Sequence, residues 1–163
     1  MSRGLRNNNP LNIRHSADRW LGAREEQTDK SFVQFESMAY GYRAVWKTLQ
    51  SYYNCFCEQS KPFRVRNIIS RWAPPSENDT EGYIRSVLSL SGLGGKENLL
   101  TPSNVDGYGR LSSLIAAMTC MECGIPLAQV DTEAICRGYR LAFPENNEEL
   151  DEWLCEGDEY AGW

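Results

Sequence analysis

LSSLIAAMTCMECG, Leu111 to Gly124, reads as one helix that carries an ionisable residue on its apolar side. Leu111, Leu114, Ile115 and Met118 recur at i, i+3, i+4 and i+7, the repeat of a helix that turns one stripe toward a core. Gly124, with Pro126 behind it, marks the stop. Glu122 stands eleven residues after Leu111 and four after Met118, so it falls on the same stripe. Two effects act on a carboxyl group there: partial burial disfavours the charged form, and the helix C-terminus adds the negative end of the macrodipole. Both are expected to raise its pKa. A carboxylic acid kept protonated near neutral pH is what glycosidic cleavage requires, because the departing sugar oxygen must take up a proton. The plainer reading of Glu122 is an ion pair with an arginine, or a side chain turned to solvent at a frayed helix end.

Working outward, the remaining periodicity is also helical. Ser37 reads as the N-cap of a helix over 37–53 whose stripe is Tyr42, Val45, Trp46, Leu49 and Tyr52 or Tyr53. Val65, Ile68, Ile69 and Trp72 form a shorter helix that Pro74-Pro75 must end. Another begins near Asp79 or Thr80, buries Tyr83, Ile84, Val87 and Leu88, and closes at Gly92. Gly92 to Gly109 is a loop, and 131–142 a weaker helix. Near the front, Leu11–Arg14 and Ser31–Phe35 flank the polar stretch Gly22–Lys30 and read as an irregular β-hairpin. From Pro144 the chain turns acidic and low in aliphatics, which reads as a loosely attached tail in which Trp153 and Leu154 offer at most a short docking turn. The expected organisation is thus a domain over 1–143 and an acidic tail over 144–163.

Charge follows that division. The net charge is −5, yet eight of the 22 acidic residues lie between Glu145 and Trp163, where there is no Lys or Arg. Ahead of them, 17 basic residues face 14 acidic ones, a mildly basic body suited to a polyanionic partner or simply a solvated surface. Arg3, Arg6, Arg14 and the Arg64–Arg71 region are the material for nucleic-acid binding, but the acidic total and the lack of a basic-aromatic motif argue against such a partner. No apolar run approaches a membrane span, and the front of the chain shows no signal-peptide hydrophobic region. The expectation is a protein made in the cytosol, without a membrane partner, that reaches the cell wall after export, lysis or incorporation into a virion. The six cysteines read as reduced thiols; Cys120 and Cys123 form a CxxC without a second pair at zinc-like spacing, so neither metal nor organic cofactor is expected. His15 is the only histidine, which leaves carboxylates as the credible catalysts.

RGLRNNNPLNIR (Arg3 to Arg14), Trp20-Leu21-Gly22, EEQTD (Glu25 to Asp29), FVQFES (Phe32 to Ser37), YGYRA (Tyr40 to Ala44) and ISRWAPPSENDTEGYIRSV (Ile69 to Val87) together resemble a family of phage virion and endolysin-like proteins over about residues 3–91. That family resembles in turn the peptidoglycan glucosaminidases of the lysozyme superfamily, in which a glutamate-bearing helix precedes an Asn-Asn turn, a Trp-x-Gly and a short β region. Here the Asn-Asn turn is Asn7–Asn9 and the Trp-x-Gly is Trp20–Gly22. The glutamate helix is missing from the front, and MTCMECG, Met118 to Gly124, looks like that helix placed at the end. A circular permutation accounts for the order.

The resemblance implies a mainly α, lysozyme-like fold with a small β lobe, acting on bacterial peptidoglycan as a glycoside hydrolase or lytic transglycosylase. It implies Glu122 as the acid, and a second carboxylate across the cleft among Glu25, Glu26 and Asp29, with Glu26 first and Asp29 second. A solvated charged turn is the plainer account of all three. Glu77 is the alternative acid, or an ordinary charge at the positive end of a helix dipole. Asn7, Asn8, Asn9, Trp20, Glu77, Asn78 and Tyr83 are the expected sugar-contacting residues; Asx-turn capping for the asparagines and core packing for Tyr83 are the competing roles. A catalytically inactive virion or wall-binding protein, partnered by other virion proteins, is the alternative function.

Overall fold

Capping side chains set the main helix boundaries. In the computed structural model, which describes residues 1–161, α1 is Arg3–Arg6, α2 Met38–Glu58, α3 Val65–Trp72, α4 Thr80–Ser91, α5 Tyr108–Cys123, α6 Thr132–Ala142 and α7 Asn147–Ala161. Ser37, Asp79 and Asp131 each accept a backbone N–H of the first turn they precede, from Tyr40, Gly82 and Ala134. Gly92 and Gly124 close α4 and α5 in the left-handed conformation at φ 71° and 63°, where a side chain would be strained. The chain is mainly helical, as its periodicity predicts.

Helix α2 lies along α6, and Trp46 joins them. Its indole is fully buried, donates to the Ile135 carbonyl at 3.0 Å, meets Tyr139 edge-on at 4.8 Å and stacks on Tyr108 at 5.7 Å. An indole can be buried at this depth because its one donor is satisfied. Helix α5 departs from the single stripe expected of it: every residue from Leu114 to Cys120 is buried. Ala116 and Ala117 let neighbours approach on the sides that larger residues would hold apart, which makes α5 the central helix, packed against α4 and α6. Glu122 is therefore set where the central helix leaves the core.

The β-hairpin expected at the front is replaced by irregular backbone. Among the described residues there is no sheet, only the isolated antiparallel bridges Arg14↔Phe32 and Ala23↔Phe35. Side chains take the ladder's partners. Gln34 Oε1 accepts the amides of Thr28 and Asp29, Gln27 Oε1 accepts that of Gln34, and Asn9 Oδ1 accepts that of Ile13. Once these backbone donors are bonded to amide side chains, no continuous strand pair can form.

Where a loosely attached tail is expected from composition, residues 144–157 pack against the body. Leu150 is 0% exposed. Trp153 packs edge-on to Tyr108 at 5.6 Å, over Gly109, where a Cβ would come within 2.9 Å of the indole. Arg140 donates to Asp151 at 2.5 Å, and Asn146 to the Ser103 carbonyl at 2.6 Å. Composition undervalued the segment because Leu150, Trp153 and Leu154 fall at i, i+3 and i+4, so three apolar residues concentrate on one face. No helix among the described residues is long and apolar enough to cross a membrane.

Candidate functional site

At the end of α5 three donors from three other segments converge on one carboxyl group. Tyr83 Oη donates to Glu122 Oε1 at 3.1 Å, Trp72 Nε1 to the same oxygen at 3.3 Å, and Asn12 Nδ2 to Oε2 at 3.2 Å. Trp72 is the last residue of α3, where the chain must leave the helix ahead of Pro74-Pro75. Tyr83 sits in the first turn of α4, whose start is tied back to α3 by the Thr80 hydroxyl on the Ala73 carbonyl at 2.5 Å. Burial above all, and then the negative charge of Glu122, push the Tyr83 phenol far above its ordinary pKa. It therefore stays a donor at any ordinary pH.

Asn12 reaches the site from an unusual backbone. It holds φ 54°, and its own amide donates to Asn9 O at 3.1 Å, a conformation Asn tolerates better than other non-glycine residues. The turn before it is clamped by the asparagine cluster. Asn9, fully buried, accepts the Ile13 amide and donates to the carbonyls of Ile13 and Val33. Asn7 donates to Asp29 and accepts from Gln34, and Asn8, at φ 50°, donates to the Phe35 carbonyl. Helix α2 presses on this turn through Gly41, where a Cβ would lie 2.0 Å from the Asn8 carbonyl oxygen. The end of α5 touches it from the other side, with Cys123 Sγ 3.2 Å from the Pro10 carbonyl oxygen.

In front of Glu122 lies an open groove of about 500 Å³. Trp20, Tyr52 and Trp72 give it aromatic walls, and Asp18 and Glu77 are the other carboxylates along it. Of the residues singled out from sequence, Glu122, Trp20, Glu77 and Asn78 line this groove, and Tyr83 bonds the Glu122 carboxyl behind it. Asn7, Asn8 and Asn9 stand beneath the groove as clamps and are not among its lining residues. Glu25, Glu26 and Asp29 are also absent from the lining, and Glu25 and Glu26 are exposed on the polar stretch. Asp29 is engaged elsewhere. It accepts two hydrogen bonds from Arg3, at 2.6 and 2.7 Å, one from Asn7 at 2.9 Å, and the amides of Ser31 and Phe32. The Arg3 guanidinium first, then Asn7, hold its carboxyl well below the usual carboxylate range.

Asn12, Asp18, Tyr52 and the Trp72 indole are the site residues that sequence reading passed over. Asn12 carried a visible signal: it follows Pro10 by two residues in an asparagine-rich turn, where a further Asn favours a left-handed backbone. Asp18 and Tyr52 carried none, since one lies in an irregular loop and the other on an ordinary apolar stripe.

No model of a known protein family matches the chain. A relative does: over 126 residues it is 38% identical to Protein P5 of Pseudoalteromonas phage PM2, covering 76% of this chain and 72% of that protein.

Proposed function

The chain belongs to the phage protein family of Protein P5 from Pseudoalteromonas phage PM2, and on that premise we propose that it cleaves the glycan strands of bacterial peptidoglycan, with Glu122 as the acid. The observation that carries the reading is the placement of Glu122: a half-buried carboxyl at the end of the central helix, held by three donors and open to a groove with aromatic walls. Aromatic faces suit the apolar faces of sugar rings, while Asn78 and Ser16 offer hydrogen bonds to hydroxyls and N-acetyl groups. The proposed step is protonation of the leaving glycosidic oxygen by Glu122 as the bond to the anomeric carbon breaks. For the group on the opposite side of the sugar, position favours Asp18 and Glu77, which line the groove, over Glu26 and Asp29, which do not. In a hydrolase that carboxylate activates water; in a lytic transglycosylase the sugar's own hydroxyl attacks.

A lysozyme-like fold in permuted order belongs to the same proposal. It is supported by contact between the end of α5 and the turn after α1, through Asn12–Glu122 and Cys123–Pro10. Those are the two pieces that would be consecutive in the unpermuted order.

The test is Glu122→Gln on purified peptidoglycan. This change keeps the shape and removes the transferable proton. Turnover is expected to fall by about a hundredfold or more with binding retained. Equal cleavage by wild type and variant would remove Glu122 as the acid. Membership of a phage protein family favours one second reading, a virion component that binds wall polymer or neighbouring virion proteins without cutting. Wild-type protein that binds peptidoglycan and releases no fragments would establish it.

A further inference from the structure

The groove does not end at Trp20. A second depression of about 380 Å³ shares Asp18, Trp20, Thr48 and Tyr52 with the first, and its remaining walls include Arg19, Arg43 and Lys47. Arg43 and Lys47 are one helical turn apart on α2 and present a single face. Among the described residues none of the three cations is in an ion pair. Arg43 Nε is buried and finds no partner among those residues. The Lys47 ammonium lies 5.0 Å over the Phe143 ring, which positions it without neutralising it. Asp18 is the only carboxylate in the shared wall, and its Oδ2 accepts from the Ser16 hydroxyl at 3.1 Å. One continuous surface thus carries Glu77, Glu122 and Arg14 in the first groove, Asp18 in the shared wall, and the three cations Arg19, Arg43 and Lys47 beyond it.

We propose that the Arg19, Arg43 and Lys47 end is a subsite for carboxylate-bearing substituents of the bound glycan, the lactyl ether of its sugars or the acidic peptide attached to it. The inference rests on the glycan-cleaving reading and specifies its substrate: a carboxylated strand is taken in preference to a neutral polymer of the same sugars. Guanidinium and ammonium groups donate charge-assisted hydrogen bonds to a carboxylate, and those from Arg can be bidentate. A neutral N-acetylglucosamine polymer would reach the aromatic walls and leave the basic end unsatisfied.

Calorimetric titration of the full chain with three soluble probes tests this: peptide-bearing peptidoglycan fragments, the same strands stripped of peptide by an amidase, and N-acetylglucosamine oligomers. Wild type is expected to bind carboxylated fragments about tenfold more tightly than the neutral oligomer. The Arg19→Gln/Lys47→Gln double variant is expected to lose that preference while keeping its affinity for the neutral oligomer. Preference that survives on stripped strands assigns the lactyl carboxylate, and preference that needs the peptide assigns the peptide carboxylates; both support the subsite. Arg43→Gln, which removes a guanidinium whose Nε is buried, is expected to weaken the preference at an unchanged melting temperature, and a full preference in that variant removes Arg43 from the subsite. Equal wild-type affinity for charged and neutral probes, or a double variant that keeps the preference, overturns the subsite and leaves the cleavage proposal standing. Failure to bind any of the three overturns both.

Discussion

Glu122 is held by groups that are remote in sequence, since Asn12 lies 110 residues away, Trp72 50 and Tyr83 39. The candidate acid was legible because its register is measured along its own helix, four residues past Met118. Its partners were not, because no local pattern encodes contacts across such separations. Tyr83→Phe isolates one contact: it keeps the ring in the core and removes a hydrogen bond to the carboxyl group. Chemical denaturation should show a loss of about 1–3 kcal/mol, and cleavage, if Glu122 is the acid, should fall as well. An unchanged midpoint would mean that the phenol contributes nothing to holding the carboxyl. Asp29 gives a pH-dependent counterpart. Its folded pKa is depressed by Arg3 and Asn7, so its contribution to stability is fully present above the unfolded pKa of about 3.9 and is lost as pH falls below it toward the folded value. The melting temperature of wild type should therefore drop more steeply below about pH 4 than that of Asp29→Asn. Parallel curves would show that the Arg3–Asp29 pair carries no acid dependence.

The helices followed from sequence wherever a cap and a periodic stripe coincide, as at Ser37, Asp79 and Asp131. The front segment did not follow, because Asn9, Gln27 and Gln34 compete with the backbone for hydrogen bonds in ways that residue alternation does not reveal. The same network predicts where that segment is fragile. Asn9 is fully buried and makes three hydrogen bonds to two chain segments. Asn9→Ala leaves the Ile13 amide and two carbonyls without those partners, and should cost about 2–4 kcal/mol. Because the Asn7–Asn12 turn also presents Asn12 to Glu122, the element should lose its grip on the site together with its stability. Hydrogen exchange can check this: the amides of Ile13 and Val33 should lose protection in Asn9→Ala well before those of α2. Unchanged protection at both would place the strength of the segment elsewhere.

At the scale of the whole molecule, the acidic segment is held to the body by a small apolar contact set within a large excess of negative charge. Eight carboxylates between Glu145 and Trp163 repel one another, and Arg140 is the one basic residue paired with the segment among the described residues. Glu145, Glu148, Glu149, Asp151, Glu152 and Glu156 stay exposed while Leu150 enters the core and Trp153 and Leu154 pack against it, so this part of the segment docks without burying its charge. Removal of a fully buried leucine side chain costs about 2–5 kcal/mol, and each kcal/mol corresponds to roughly 2–4 °C in a chain of this size. Leu150→Ala should accordingly lower the melting temperature by about 5–15 °C, and truncation after Phe143 should lower it further, since Trp153 then also leaves Tyr108 exposed. Because this docking face is apolar while the opposite face is charged, added salt should screen the repulsion and raise the melting temperature of the full chain more than that of the truncated one. A truncated chain that melts with the full-length protein would mean that α7 rests on the body without stabilising it.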